Sequence, residues 1–318
     1  MSLQKAYRLH SYGGPECVQL DDVEVPEPGP SQTLVAVHTV GMNPFDWKIR
    51  EGFGRMMGLQ LPTTLGVDFV GTVEANGDGA SRLAAGERVM AISNTLGAFA
   101  EYIAVDEATL ARVPEGLSDV EAAALPIPGL TAWQTVHLAG EPGPGMRVLI
   151  NGASGIVGSL AVQLVKAAGG YVIGVASGKN RDYVLKLGAD EFLDYQGERV
   201  ENRFTDVDLV LDYALAGSPD DTARLWTVLT PGGAVVSVAD PTILDNVPAG
   251  YRGYFHQAVP DAAALEEIAN RVVAGDLTIT IAQVFPRDRL IEAMELNKAG
   301  GTTGRLVVDF TDTTESRH

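Results

Sequence analysis

Over the first 120 positions apolar residues come in short runs separated by Gly and Pro, and from about residue 121 they give way to strand–helix alternation. The runs at 34–37, 68–73, 87–92 and 100–105 read as strands, so residues 1–120 are expected to form a β-rich, barrel-like domain. Ser118 with Glu121 forms a capping box that opens a helix near Asp119. Beyond it RVLI (147–150), YVIGVA (171–176), DLVLD (208–212) and AVVSV (234–238) read as buried strands, with Pro231, Gly232 and Gly233 as the turn before the last. Leu160, Val162, Leu164 and Val165 recur at helical spacing between the first two and stop at Ala168, Gly169 and Gly170. Such alternation implies a parallel sheet with helices on both faces, over residues 121–258. Residues 259–318 carry two more helical patterns, 261–274 stopped by Gly275 and 287–299 stopped by Gly300, then a strand at 304–310 and a tail from Thr311 expected to be disordered. The fold class is therefore α/β, a β-rich domain joined to a doubly wound one.

Between the strand at 147–150 and its helix lies NGASGIVG (151–158). It matches the G-x-G-x-x-G dinucleotide turn except that Ala153 stands at the first glycine. Gly155 would let the backbone approach a pyrophosphate, Gly158 would let the helix pack on the strand, and the helix N-terminus would face the anion. A ligand-free strand–helix turn is the competing reading. After the next strand come Ser177, Gly178, Lys179, Asn180 and Arg181, with no carboxylate before Asp182. A hydroxyl and two cations suit a 2′-phosphate, so NADPH is expected over NADH; a solvated helix start is the alternative for Lys179 and Arg181. A phosphate-binding loop at 174–179 fails on spacing, and a nucleophile elbow at Ser154 fails because Ile156 stands where glycine is required.

A chain of 318 residues has room for two domains. Its net charge of −18 argues against nucleic acid and anionic membranes as partners. The N-terminus lacks the apolar core of a signal peptide, and a cytoplasmic protein is expected. Cys17 is the lone cysteine, and the five histidines lack metal-ligand spacing, so no metal site is expected.

Several further blocks fall in one order along the chain: GGPECVQL (13–20), GMNPFDWKIREG (41–52), LGVDFVGTVEANG (65–77), AAGERVMA (84–91), GAFAEYIAV (97–105), AAALPIPGLTAWQ (122–134), LGADEFLDY (187–195), LTPGGAVVSV (229–238) and TTGRLVVDF (302–310). With them the whole chain resembles the zinc-independent quinone oxidoreductase branch of the medium-chain dehydrogenase/reductase superfamily. The resemblance implies a GroES-like catalytic domain, a Rossmann NADP(H)-binding domain, a C-terminal segment returning to the first domain, and a homodimer. Relatives with catalytic zinc carry cysteine and histidine where this sequence has Asn43 and Val67, so hydride delivery to an electron-poor quinone or α,β-unsaturated carbonyl is expected rather than zinc-assisted alcohol oxidation. An enoyl reductase acting on a thioester or polyketide intermediate is the alternative enzyme; a non-catalytic NADPH-binding redox sensor is the alternative of another class.

Position by position, the resemblance places Asn43 beside the nicotinamide ribose and Thr131 near the nicotinamide face. Ser154, Gly155, Ile156 and Val157 would hold the pyrophosphate, and Ser177, Lys179 and Tyr195 would surround the 2′-phosphate. Val238, Phe255 and Gln257, at later strand ends, would meet the nicotinamide through backbone groups, and His256 is a possible donor to a substrate oxygen. Arg305 stands where the family usually has lysine, which keeps the charge and changes its shape. Many relatives have a proton-donating tyrosine after the Asn43 block; here Phe53 follows Gly52. Asn43, Asp46 and Lys48 remain the catalytic candidates, with two readings of Asp46 and Lys48: a proton relay or substrate clamp, or an ion-paired loop. Phe45, Trp47, Phe53, Met56 and Met57 would line an apolar pocket or belong to a core.

Overall fold

The computed structural model describes residues 2–214, 223–245 and 247–311. The tail expected to be disordered lies, beyond Thr311, outside the described residues. The chain forms two compact units, Met1–Ile127 with Pro260–His318, and Pro128–Val259.

In the first unit β1 (Leu3–Leu9) pairs antiparallel with β2 (Val18–Glu24) and with β4 (Thr63–Thr64). A larger sheet is built on β3 (Gln32–Gly41), which pairs with β5 (Asp68–Asn76), with β7 (Tyr102–Asp106) and with β16 (Arg305–Asp309). β6 (Arg88–Ile92) and β8 (Ala111–Arg112) extend it beyond β5, and β15 (Ile281–Pro286) extends it beyond β16. The last two strands thus come from the C-terminal part of the chain, which closes on the N-terminal one. Central placement explains why β3 and β5 carry so many apolar residues in succession. Gly71 on β5 is required by close approach: a Cβ there would lie 2.1 Å from the Ala36 carbonyl oxygen. The long helix at Ala262–Ala274 is capped by the Asp261 side chain, which accepts the Ala264 N–H, and is stopped by Gly275 at φ 82°.

The second unit is a parallel sheet in the order β11 (Glu191–Asp194), β10 (Tyr171–Ala176), β9 (Arg147–Asn151), β12 (Val207–Asp212), β13 (Leu229–Ser237), β14 (Arg252–Phe255). Numbered from β9, this is 3-2-1-4-5-6, with the order reversing between β9 and β12. Ligands of such sheets bind outside the carboxyl ends of the strands at the reversal. The inner strands are apolar and buried along their middles, and Leu149, Ile173, Val210 and Val235 pack with Phe204 and Trp226 in the core. The turn expected at 231–233 is instead a bulge inside β13: Val207 pairs with Leu229 and Leu209 with Ala234, so the intervening residues loop out, Gly232 taking φ 84°. The Ser118–Glu121 capping box forms, yet its helix is short, Asp119–Ala122, and a second helix covers Pro126–Leu138. No helix among the described residues is long and apolar enough to cross a membrane.

Candidate active site

The glycine turn joins the end of β9 to α1 (Ile156–Ala167), at the reversal of strand order. The left-handed residue is Gly152, at φ 81°, whereas Ala153 is absent from the positive-φ residues. Alanine is therefore no strain at the position where the pattern prefers glycine. The Gly152 and Ala153 N–H groups both donate to the Val175 carbonyl at 3.0 Å, which ties the turn to β10. A Cβ on Gly158 would lie 2.2 Å from the Gly152 carbonyl oxygen, so the helix packs here only without a side chain. Gly155 caps the helix without a side-chain hydrogen bond, and the first-turn N–H groups of Ile156, Val157 and Gly158 have no helical acceptor. A Cβ on Gly155 would meet only the Gly152 carbonyl oxygen, at 3.4 Å. The turn presents first-turn N–H groups of the kind that bind a pyrophosphate.

Asn180 joins this turn to the loop after β10. Its Nδ2 donates to Ser154 Oγ at 3.0 Å and to Ser177 Oγ at 3.1 Å, a link for which sequence reasoning offered no signal. Lys179 and Tyr195 are exposed on the same side of the sheet ends, where Tyr195 N–H donates to the Ala176 carbonyl.

Under the reversal point sits a buried carboxylate that motif reading also missed. Asp212, at the end of β12, accepts from Asn151 Nδ2 at 2.8 Å and from Ser237 Oγ at 2.9 Å. Burial raises its pKa, and these two bonds pull the other way. Val238 N–H donates to the Asp212 carbonyl, so Val238 is held at this edge. Next to it Tyr213 is half-buried, with its hydroxyl 2.7 Å from Thr135 Oγ1, which itself donates to the Thr131 carbonyl at 2.6 Å. Because the Thr135 proton is committed to that carbonyl, Tyr213 is the donor of the pair. Burial raises the Tyr213 pKa further above its ordinary value, which keeps the phenol protonated. Phe255 packs partly against the core, Gln257 is exposed, and His256 lies 2.9 Å from Gln134 Oε1 with its pKa lowered by burial.

In the first unit the structure brings together Asn43, Asp46 and Arg305, with Asp68 as a fourth member. Asp46 lies on the short helix Pro44–Lys48 and reaches back so that Oδ2 accepts the Asn43 N–H at 2.7 Å. Arg305 Nη1 donates to Asn43 Oδ1 at 3.0 Å and Nη2 to Asp68 Oδ2 at 2.5 Å. Asp68 also accepts the Ile127 N–H. Asp46 and Asp68 are both 0% exposed and Arg305 is 3% exposed. Two carboxyls and one guanidinium share a buried site, and Asp46 Oδ1 has no donor among the described residues. Burial pushes the Asp46 carboxyl up to about 8, with the Asn43 N–H opposing it. Asp68, also raised by burial but opposed by Arg305, reaches about 6. Gly41 makes room for the guanidinium: a Cβ there would lie 2.4 Å from Arg305 Nη2. Lys48 stands 5.7 Å from the Trp47 ring centroid, its pKa lowered by burial. Phe45 and Phe53 meet edge to face at 6.0 Å, while Met56 is 82% exposed. The signal for Asp68 was a charge inside the apolar run GVDFVG. No group of three or more His, Cys, Asp or Glu among the described residues is arranged to hold a metal ion.

A β-rich unit completed by the chain's C-terminal strands, together with a doubly wound unit carrying a dinucleotide turn at its reversal point, defines a medium-chain dehydrogenase/reductase. Residues 29–115 match the alcohol dehydrogenase GroES-like domain, and residues 187–308 match the zinc-binding dehydrogenase model. The chain is 37% identical to quinone oxidoreductase of Homo sapiens, covering 96% of this chain and 98% of that protein, and 30% identical to that of Sus scrofa over the same shares. The solved quinone oxidoreductase of Coxiella burnetii is 31% identical, with a TM-score of 0.91 over 97% of this chain and 99% of that one. Escherichia coli quinone oxidoreductase, solved complexed with NADPH, shares the fold at a TM-score of 0.83 and 24% identity over 96% of this chain and 99% of that one. The chain belongs to the quinone oxidoreductase branch of the medium-chain dehydrogenase/reductase superfamily.

Proposed function

We propose that this chain is an NADPH-dependent oxidoreductase that transfers hydride, without zinc, to a quinone or an α,β-unsaturated carbonyl. The observation that carries the reading is the turn at Gly152–Gly158, tied through Asn180 to Ser177 at the reversal of strand order. Its relatives, named as quinone oxidoreductases along nearly their whole length, support the acceptor class. When bound, NADPH supplies a hydride. The residues of the chain then have three tasks. Ser154, Gly155, Ile156 and Val157 receive the pyrophosphate, and Ser177, Lys179 and Tyr195 receive the 2′-phosphate. Thr131, Val238, Phe255 and Gln257 border the nicotinamide end. Asn43, Asp46 and Lys48 serve the acceptor side, Asp46 from beneath the surface, where its carboxyl accepts the Asn43 N–H and fixes that residue. Arg305 acts there by fixing the Asn43 carboxamide. Asn43 and Val67 offer no imidazole or thiolate, which is why the reaction is assigned to positioning and donors rather than a Lewis acid. The further part of the reading, a homodimer, rests on the family resemblance.

The test is steady-state NADPH oxidation with a para-quinone and with an enone, before and after dialysis against a chelator. Turnover with at least one acceptor, unchanged by the chelator, is expected. Tight NADPH binding with no turnover on either would refute the enzyme and favour the sensor.

A further inference from the structure

Asp194 closes β11, and in the sheet register it stands opposite Ala176, the last residue of β10. The loop at 177–180 begins at once, so the Asp194 side chain arrives beside it from the neighbouring strand. A Cβ on Gly178 would lie 2.4 Å from Asp194 Oδ2; the carboxylate fills the space that a side chain at 178 would need. Its other oxygen is committed, since Oδ1 accepts the Gln196 N–H at 3.0 Å, and the Gly197 and Glu198 N–H groups bond the Asp194 carbonyl. The turn therefore holds the carboxylate in place. Oδ2 accepts from no group among the described residues.

A site for NADH wants a carboxylate that accepts the ribose 2′-hydroxyl, ordinarily at the end of the second strand of the unit. β10 ends at Ala176, and neither it nor the following Ser177 supplies one. Asp194 supplies one at the same edge from the third strand, facing the same loop that carries Ser177 and Lys179. An ionised carboxylate accepts from a hydroxyl and repels a phosphate dianion, whereas Lys179 attracts the dianion. The loop thus holds groups suited to both nucleotides.

We propose that Asp194 is a specificity-determining residue of the nucleotide site: Oδ2 accepts the 2′-hydroxyl of NADH and opposes the 2′-phosphate of NADPH, so that the protein binds both nucleotides. This rests on the assignment of the 152–180 region as the cofactor site. The test is fluorescence titration of the full chain with NADPH and with NADH for wild type, Asp194→Asn and Asp194→Ala, at low and high salt. Asp194→Asn keeps the size and the turn-forming acceptor. A unit charge facing a dianion roughly 6 Å away across water is worth on the order of tenfold in affinity. NADPH is therefore expected to bind roughly five- to tenfold tighter to Asp194→Asn, with the gain shrinking at high salt, and NADH to bind more weakly, because Nδ2 stands where the accepting oxygen was. Asp194→Ala, which has no acceptor left, is expected to tighten NADPH and also weaken NADH. An NADPH affinity within about twofold of wild type in both variants overturns the proposal. If wild type binds neither nucleotide, the cofactor assignment itself fails and this proposal with it, a result visible before any variant is made.

Discussion

Asp46→Asn should make the protein more stable at neutral pH and less stable in acid. Asp46 is fully buried, with one oxygen bonded to the Asn43 N–H and the other without a donor among the described residues, and its carboxyl is pushed up to about 8. In the unfolded chain an aspartate titrates near about 3.9. Between these values the native protein keeps a proton that the unfolded chain has released, so stability falls as pH rises, by about 1.4 kcal/mol per unit. At pH 7 the accumulated cost is about 4 kcal/mol relative to acid, and it stops growing above about pH 8, where both states are ionised. Asp46→Asn keeps the shape and the acceptor for Asn43, and it removes the titration. It leaves an amide N–H₂ buried, a cost of about 1–3 kcal/mol at every pH. The difference is a gain of about 1–3 kcal/mol at pH 7 and a loss of about 1–3 kcal/mol near pH 4, with the two stability curves crossing between. Urea unfolding of both proteins at half-unit steps from pH 4.5 to 8 measures this, because every other titrating group contributes to both. A difference between them that stays flat across that range would refute the buried, protonated Asp46.

Other consequences are equally direct. Gly158→Ala drives a methyl into the Gly152 carbonyl, so a loss of at least about 2 kcal/mol and weaker nucleotide binding are expected; unchanged melting and unchanged NADPH affinity would show that the turn is not packed as described. Lys179→Ala should lower the preference for NADPH over NADH by about tenfold, or about 1.4 kcal/mol, in paired titrations, and an unaltered ratio would remove Lys179 from the 2′-phosphate site. Tyr213→Phe removes one buried hydrogen bond and leaves the Thr135 hydroxyl still bonded to the Thr131 carbonyl, so it should cost about 1 kcal/mol in thermal unfolding; a loss above about 3 kcal/mol would mean that the phenol has a further partner.

What could be read from the chain, and what could not, follows the distance over which each feature is decided. Helix caps are local: Asp261 and Gly275 bound their helix, and Ser118 with Glu121 opens its own, as the pattern predicts. The bulge in β13 is not local. Pro231, Gly232 and Gly233 look like a turn, and only the pairing of Val207 with Leu229 and of Leu209 with Ala234 makes them a detour within one strand. Ala153 looked like a defect in the glycine turn because the pattern counts positions, whereas the backbone takes its left-handed conformation one residue earlier, at Gly152. Asp68 was visible as a charge in an apolar run, yet its meaning lies in Arg305, which reaches it only because β16 joins β3 next to β5.

The same reasoning bears on cofactor choice. Counting carboxylates along the loop after β10 finds none before Asp182 and points to a 2′-phosphate. A parallel sheet, however, presents a ligand with the ends of adjacent strands, not with successive residues of one loop. The register that sets Asp194 against Ala176 places an acid beside Gly178 that the linear count assigns to a different element. Net preference is then the difference between the pull of Lys179 and the push of Asp194, two opposed terms of similar size, so that changing either one alone should shift it by about an order of magnitude.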